Sequence, residues 1–426
     1  MNSALAAMAG LILSILLIIR KLSPVYALML GALTGGLLSG AGLENTVGQM
    51  LSGVKDITPA ILRILAAGVL SGALIKTGAA ASISRAIVGG LGRKQVFLAV
   101  ALSAMLLTDA GVFVDVAVIT VAPVALMLGQ HLSLSRRKLL FAMIAGGKCG
   151  NIVSPNPNTI IAAENYDAAL PSVMAAGVIP AIAGLLATVY IILPLMPDEK
   201  TAPADGFAAE ISDAGGALPS FAASMAGPLV AIVLLALRPL AGIVIDPMIA
   251  LPAGGLATLL FTRSWKKAGE SVVFGLEKMS VVAILLVGTG TLAGVIKASA
   301  IKDVLISMLS GWEAAVTLLA PLSAILTSAA TASTTAGATV SSASFAPSVL
   351  GAGVPAVPAA AMTNAGATVL DHLPHGSFFH ATGGSVGMSI KERIKLIPYE
   401  TAVGLILTLM SWVSFFLKST TNVTPL

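Results

Sequence analysis

The chain has 426 residues, 57% of them hydrophobic and 10% charged, with a net charge of +5 and a mean hydropathy of +0.97. Soluble domains devote about a quarter of their residues to charge, so this composition excludes a soluble globular protein and describes a chain that crosses a membrane many times. Aromatics at 4% and basic runs no longer than three residues exclude a nucleic-acid partner, and one cysteine, Cys149, excludes an internal disulfide or a multi-thiolate metal site.

Apolar runs of roughly 20 residues, the length that crosses a bilayer core, recur at 4–19, 25–43, 172–196 and 396–417. The first lacks a basic leader and runs into Arg20, Lys21 and a second span, so it reads as a retained helix. Basic residues collect at cytoplasmic span ends. Arg20/Lys21, Arg93/Lys94, Arg136/Arg137/Lys138, Arg263/Lys266/Lys267 and Lys391/Arg393/Lys395 mark five such loops. The path that satisfies them starts outside, enters over 4–19, returns over 25–43, carries a surface helix near 44–56 and crosses inward over about 60–78. A short amphipathic helix then reaches Arg93.

The stretch 95–135 begins and ends on cytoplasmic charge, so it is two full spans or a re-entrant hairpin with its tip at Thr108 to Asp115; the acidic tip favours the hairpin. From Arg136 a helix broken between Asn151 and Thr159 leads outward to Glu164 and Asp167, and 172–196 brings the chain back. The polar stretch 198–218 has the Gly, Ala and Pro content of a linker. It divides a first repeat, 1–197, from a second, 219–426.

A shift of 222 positions pairs Gly53 with Gly275, Gly68 with Gly290, Gly72 with Gly294 and Gly89 with Gly311. Each half holds about five spans, an odd number, so the second half is inverted relative to the first. The expected fold is an all-α polytopic membrane protein of two inverted repeats, each with a re-entrant hairpin and a broken helix, the architecture of secondary transporters. No GxxxxGK[ST] sequence is present to bind ATP.

Polar groups interrupt the apolar background at four stretches, and backbone that leaves the helix at membrane depth must be covered by protein or line a cavity. In the first hairpin Asp109 and Asp115 are candidates for proton coupling, because a carboxylate at that depth has to be protonated, paired or solvated; one of them could instead cap a helix. Lys148 could neutralise a hairpin aspartate or attract an anion. In SPNPNT, Pro155 and Pro157 disrupt the helix and Asn151, Ser154, Asn156, Asn158 and Thr159 offer amides and hydroxyls to a substrate. The second hairpin offers Thr331, Ser333 and Thr335, residue types that also serve plain helix packing. The final stretch adds His372, His375 and Ser377; HxxH across a proline, beside Asp371, lacks a third nitrogen or sulfur ligand, so no metal is expected. Asn364 is a weaker candidate at the opposite break.

GVFVDVAVITVAPV (Gly111 to Val124), GNIVSPNPNTIIAA (Gly150 to Ala163), TASTTAGATVSSASFAPSVL (Thr331 to Leu350) and GATVLDHLPHGSFFH (Gly366 to His380) make the chain resemble the gluconate permease family of proton-coupled carriers, within the ion-transporter superfamily. The resemblance covers nearly the whole chain through short motifs. It implies a proton symporter for a small hydroxylated monocarboxylate, a homodimer, and a fixed scaffold (spans 1 to 3 and 6 to 8) past which hairpins and broken helices move as an elevator. SPNPN stands where gluconate carriers have histidine and proline, and LPH looks closer to carriers of short hydroxy acids, so the substrate stays open between these. The expectation is an importer in the inner (plasma) membrane, without cofactor or enzymatic activity, for a small organic anion and protons. A sodium-coupled carboxylate carrier is the nearest alternative and an ion channel a more distant one.

Overall fold

The computed structural model describes residues 3–20, 22–91, 95–197, 218–241, 243–300, 313–374 and 376–421, and all regular structure among them is helical. The first half holds α1 (Ser3–Ile19), α2 (Pro24–Leu38), α3 (Gly42–Lys76), α4 (Ala79–Leu91), α5 (Val96–Asp109), α6 (Val114–Leu132), α7 (Arg136–Asn151), α8 (Pro157–Asn165) and α9 (Leu170–Ala187), which runs on to Leu195. The second holds α10 (Phe221–Ala241), α11 (Pro247–Phe261), α12 (Ala268–Lys297), α13 (Glu313–Thr331), α14 (Thr334–Gly351), α15 (Ala356–Gly366), α16 (Ser377–Gly384), α17 (Ile390–Ile394) and α18 (Ile397–Thr421). Lys21, Arg93, Lys94, most of the linker and His375 lie outside the described residues.

The expected surface helix at 44–56 and span at 60–78 are instead one 35-residue helix, α3. Proline inside a helix frees the carbonyl four residues back. Here Pro59 and Lys55 both stand on the exposed face, so the helix passes through without a break.

Over 95–135 the chain forms two helices, α5 and α6. The 14 residues of α5 rise about 21 Å at 1.5 Å per residue, short of a ~30 Å hydrocarbon core. The chain turns back at 110–113, where Gly111 takes φ +93°, a backbone that glycine adopts without steric cost. In the second half α13 and α14 are joined by Ala332 and Ser333 alone, and the buried Ala332 holds φ +47° without being glycine. Backbone of that kind is sparsely populated for a residue with a Cβ and persists where neighbours enforce it.

The most extensive helix contact joins α3 to α12, and it runs glycine against glycine. Gly53 meets Gly290 and Gly294, while Gly68 and Gly72 meet Gly275; a Cβ on Gly275 would stand 2.5 Å from the Gly68 carbonyl carbon. Small residues let two backbones close at such distances, the usual basis of helix association in lipid. Beside this seam Arg63 of α3 ties Glu164 of α8 to Asp246, which it holds through Nη2 at 2.8 Å.

Candidate functional site

Helix α7 is buried at every position from Arg137 to Asn151, because small residues let its neighbours close upon it. A Cβ on Gly146 would lie 2.6 Å from the Ala101 carbonyl carbon of α5, and one on Gly147 2.6 Å from Val114 Cγ1 of α6. Lys148 follows directly and is fully buried.

A buried ammonium needs a partner for its charge and for each of its three donors. Lys148 Nζ donates to the Thr368 carbonyl at 2.6 Å, to Asp371 Oδ1 at 2.6 Å and to His372 Nδ1 at 2.9 Å. All three stand just past α15, in the break between α15 and α16. His372 Nε2 faces the Ile397 carbonyl at 3.1 Å and Thr401 Oγ1 at 3.2 Å. A carbonyl only accepts, so Nε2 carries a ring proton, while Nδ1 stands between Lys148 Nζ at 2.9 Å and Asp371 Oδ1 at 3.0 Å. The second Asp371 oxygen accepts from Thr334 Oγ1, at the start of α14, at 2.5 Å. Behind His372, Glu400 is paired with Arg393, which also donates to Thr382 Oγ1 at 3.2 Å.

The first break, 152–156, has no charge of its own. Pro157 opens α8 and Asn156 caps it, its side chain accepting from Thr159 N at 3.1 Å and Thr159 Oγ1 at 3.0 Å. This is the favoured arrangement of an amide at the cap and proline at the first helical position. Asn156 also donates to the Asn151 carbonyl at 2.7 Å. Two amides then join the halves: Asn158 Nδ2 donates to Asn364 Oδ1 at 2.7 Å and Asn364 Nδ2 to Thr159 Oγ1 at 3.0 Å. Tyr166 and Thr363 share a hydroxyl bond of 2.8 Å alongside.

The two hairpin aspartates differ. Asp115 sits in the first turn of α6, where its Oδ1 accepts from Val116 N at 2.9 Å. Asp109 ends α5, and its buried Oδ1 has no hydrogen-bond partner; a Cβ on Gly150 of α7 would stand 2.9 Å from that oxygen. Ser154 Oγ in the first break and Thr339 Oγ1 in α14 are likewise buried without a partner.

Of the residues singled out from sequence, Lys148, His372, Asn151, Asn156, Asn158 and Thr159 gather around the two breaks. Lys148 pairs with the second half's Asp371 and not with a hairpin aspartate. Thr331 bonds the Thr327 carbonyl at 2.8 Å and Ser333 accepts from Ala336 N at 3.3 Å, so both serve their own hairpin. Thr335 is half-buried. Ser377 opens α16. Sequence reasoning assigned no role to Asp371, Thr334, Tyr166 or Thr363. A signal for Asp371 existed: it stands 223 positions from Lys148, one more than the shift that aligns the glycines.

Among the described residues no three His, Cys, Asp or Glu side chains converge as a metal site. Helices interrupted inside an apolar bundle, with their polar groups turned toward one another, define a polytopic membrane transporter. Residues 2–256 match the GntP family permeases, and this chain belongs to that family. It is 51% identical to an uncharacterized transporter of Haemophilus influenzae over 97% of this chain and 98% of the relative. It is 24% identical to a high-affinity gluconate transporter of Escherichia coli over 93% of this chain and 96% of that one. Residues 222–312 also match a Na+-H+ antiporter family. The crystal structure of the Alcanivorax borkumensis YdaH transporter superposes with a TM-score of 0.65 over 91% of this chain and 90% of that one at 16% identity, a shared fold.

Proposed function

We propose that this GntP-family transporter imports a small hydroxylated organic acid, a gluconate-like sugar acid or a short hydroxycarboxylate, by proton symport across the inner membrane. The observation that carries this reading is the buried Lys148 of one half held in the break of the other, with the neutral amides of Asn158 and Asn364 bonded across the same two halves. A fixed cation suits a carboxylate, and amides and hydroxyls suit hydroxyl groups. Ser154 and Thr339, buried and unpartnered, are polar atoms that a substrate would meet.

The coupling carboxyl in this reading is Asp109, whose Oδ1 has no donor, while Asp115 in the first turn of α6 accepts from Val116 N. The halves act as inverted repeats. Supporting this, the Gly53 contact with Gly290 and the Gly68 contact with Gly275 exchange under the 222-residue shift, as contacts across a twofold axis do. The glycine seam of α3 and α12 belongs to the scaffold of a homodimer, past which hairpins and breaks move. A sodium-coupled carrier is the second reading, favoured by the Na+-H+ antiporter match over 222–312. Uptake of labelled gluconate and 3-hydroxybutyrate into proteoliposomes separates the two. Accumulation driven by a pH gradient alone, and lost in Asp109→Asn but kept in Asp115→Asn, is expected; accumulation that requires sodium sinks the proton reading.

A further inference from the structure

The three acceptors around Lys148 are not equivalent. Thr368 offers a backbone carbonyl and His372 a ring nitrogen, whereas Asp371 offers a carboxylate, the group by which an organic acid would be recognised. Because all three ammonium donors are used, an incoming carboxylate has to replace one acceptor. Replacing either of the other two would gather two carboxylates on one ammonium in a buried site, and like charges so placed are strongly disfavoured.

We propose that Asp371 is an internal stand-in for the substrate: the substrate carboxylate displaces Asp371 from Lys148, and the displaced Asp371 takes up a proton. This rests on the reading of the protein as an organic-acid carrier and adds a proton-linked binding step separate from Asp109. Charge balances throughout. Before exchange the ammonium faces the Asp371 carboxylate; afterwards it faces the substrate carboxylate, and a proton from the aqueous phase has formed an O–H bond on Asp371. Only hydrogen bonds break.

The surroundings suit both states. Thr334, half-buried at the tip of the second hairpin, contacts Asp371 Oδ2 through a hydroxyl, which donates to a carboxylate and accepts from a carboxylic acid. The other charged groups nearby are accounted for. His372 Nδ1 faces Asp371 Oδ1 at 3.0 Å, Glu400 lies 4.0 Å from His372 Nδ1 and is held by Arg393, and Asp109 faces α7 at Gly150. Asp371 is therefore the acidic side chain in contact with Lys148.

The test is binding of gluconate and 3-hydroxybutyrate to the purified full-length protein across neutral pH, where both acids are ionised and the slope reports the protein. For wild type the dissociation constant is expected to rise with pH by up to about tenfold per unit, the slope of one proton taken up per substrate bound. Asp371→Asn should bind more tightly and with a shallower pH dependence, and Asp371→Glu should restore the slope. As a check that needs no variant at position 371, calorimetry in buffers of different ionisation enthalpy should find at least one proton taken up by wild type on binding. A flat wild-type profile, an Asp371→Asn profile as steep as wild type, or no proton uptake overturns the exchange while leaving the carrier reading intact. Wild type that binds neither acid overturns both.

Discussion

The two helix breaks solve the same problem with different chemistry. The break at 152–156 is closed from within: Asn156 caps α8 and returns a bond to Asn151, and no charge is involved, although Ser154 Oγ stays unpartnered. The break after α15 carries Asp371 and His372, and its charge is balanced by Lys148 from the first half. A break closed by its own side chains is a rigid cradle that keeps its shape whatever binds. A break closed by an ion pair from elsewhere is conditional, because any competing anion or proton changes its partners.

Removing the ion pair's cation should have the largest effect. Lys148→Met strands a buried carboxylate, at a cost of about 3–5 kcal/mol, and should abolish uptake and lower the thermal midpoint. Lys148→Met combined with Asp371→Asn should recover much of the stability and none of the transport, which thermal unfolding and uptake assays measured together will show. Equal destabilisation by the single and double variants would erase the distinction between the breaks.

The link between the breaks comes next. Asn364→Ala leaves Asn158 Nδ2 without its acceptor, a loss of about 1–3 kcal/mol for a buried group. Substrate affinity should fall with the protein still assembled, as uptake kinetics on equal amounts of protein will report. Within the neutral break, Asn156→Ala removes a cap at about 0.5–2 kcal/mol, while Asn156→Asp should retain most of it; a thermal midpoint unchanged in the alanine variant would show that the break is not held by its cap.

The smallest effect lies outside both breaks. Hydrogen bonds from the Ser389 hydroxyl and backbone, with Arg136 nearby, hold the Glu392 carboxyl below the usual carboxylate range. A depressed carboxyl contributes stability above its unfolded-state pKa and loses it as pH falls through the folded-state value. Ser389→Ala should therefore weaken the protein at neutral pH and flatten the acid side of its stability profile. The pH-dependent part of the change is about 0.5 kcal/mol or less, and uptake at neutral pH should be unaffected.

Much of the site was legible before any coordinates. Lys148, the SPNPNT break and the DHLPH stretch stand out because charge, paired prolines and clustered amides are anomalies against apolar flanks, and such anomalies are local. The different settings of Asp109 and Asp115 were not legible: they depend on where the turn at Gly111 falls, which leaves one carboxyl at the end of α5 and the other in the first turn of α6. The continuity of α3 was missed because proline signals a break unless its freed carbonyl lies on an exposed face, and that face is set by what packs on the opposite side.

Composition, span lengths and the positions of the breaks follow from hydropathy and backbone chemistry acting over a few residues, and the sequence carries them openly. Partnership does not work over that range. Lys148 meets Asp371 across 223 positions and Asn158 meets Asn364 across 206, and neither pair has a local signature. Each forms only once glycine-lined helices have closed to backbone contact and excluded every competing donor and acceptor. Burial decides which opposite charges must meet, and burial belongs to the assembled bundle.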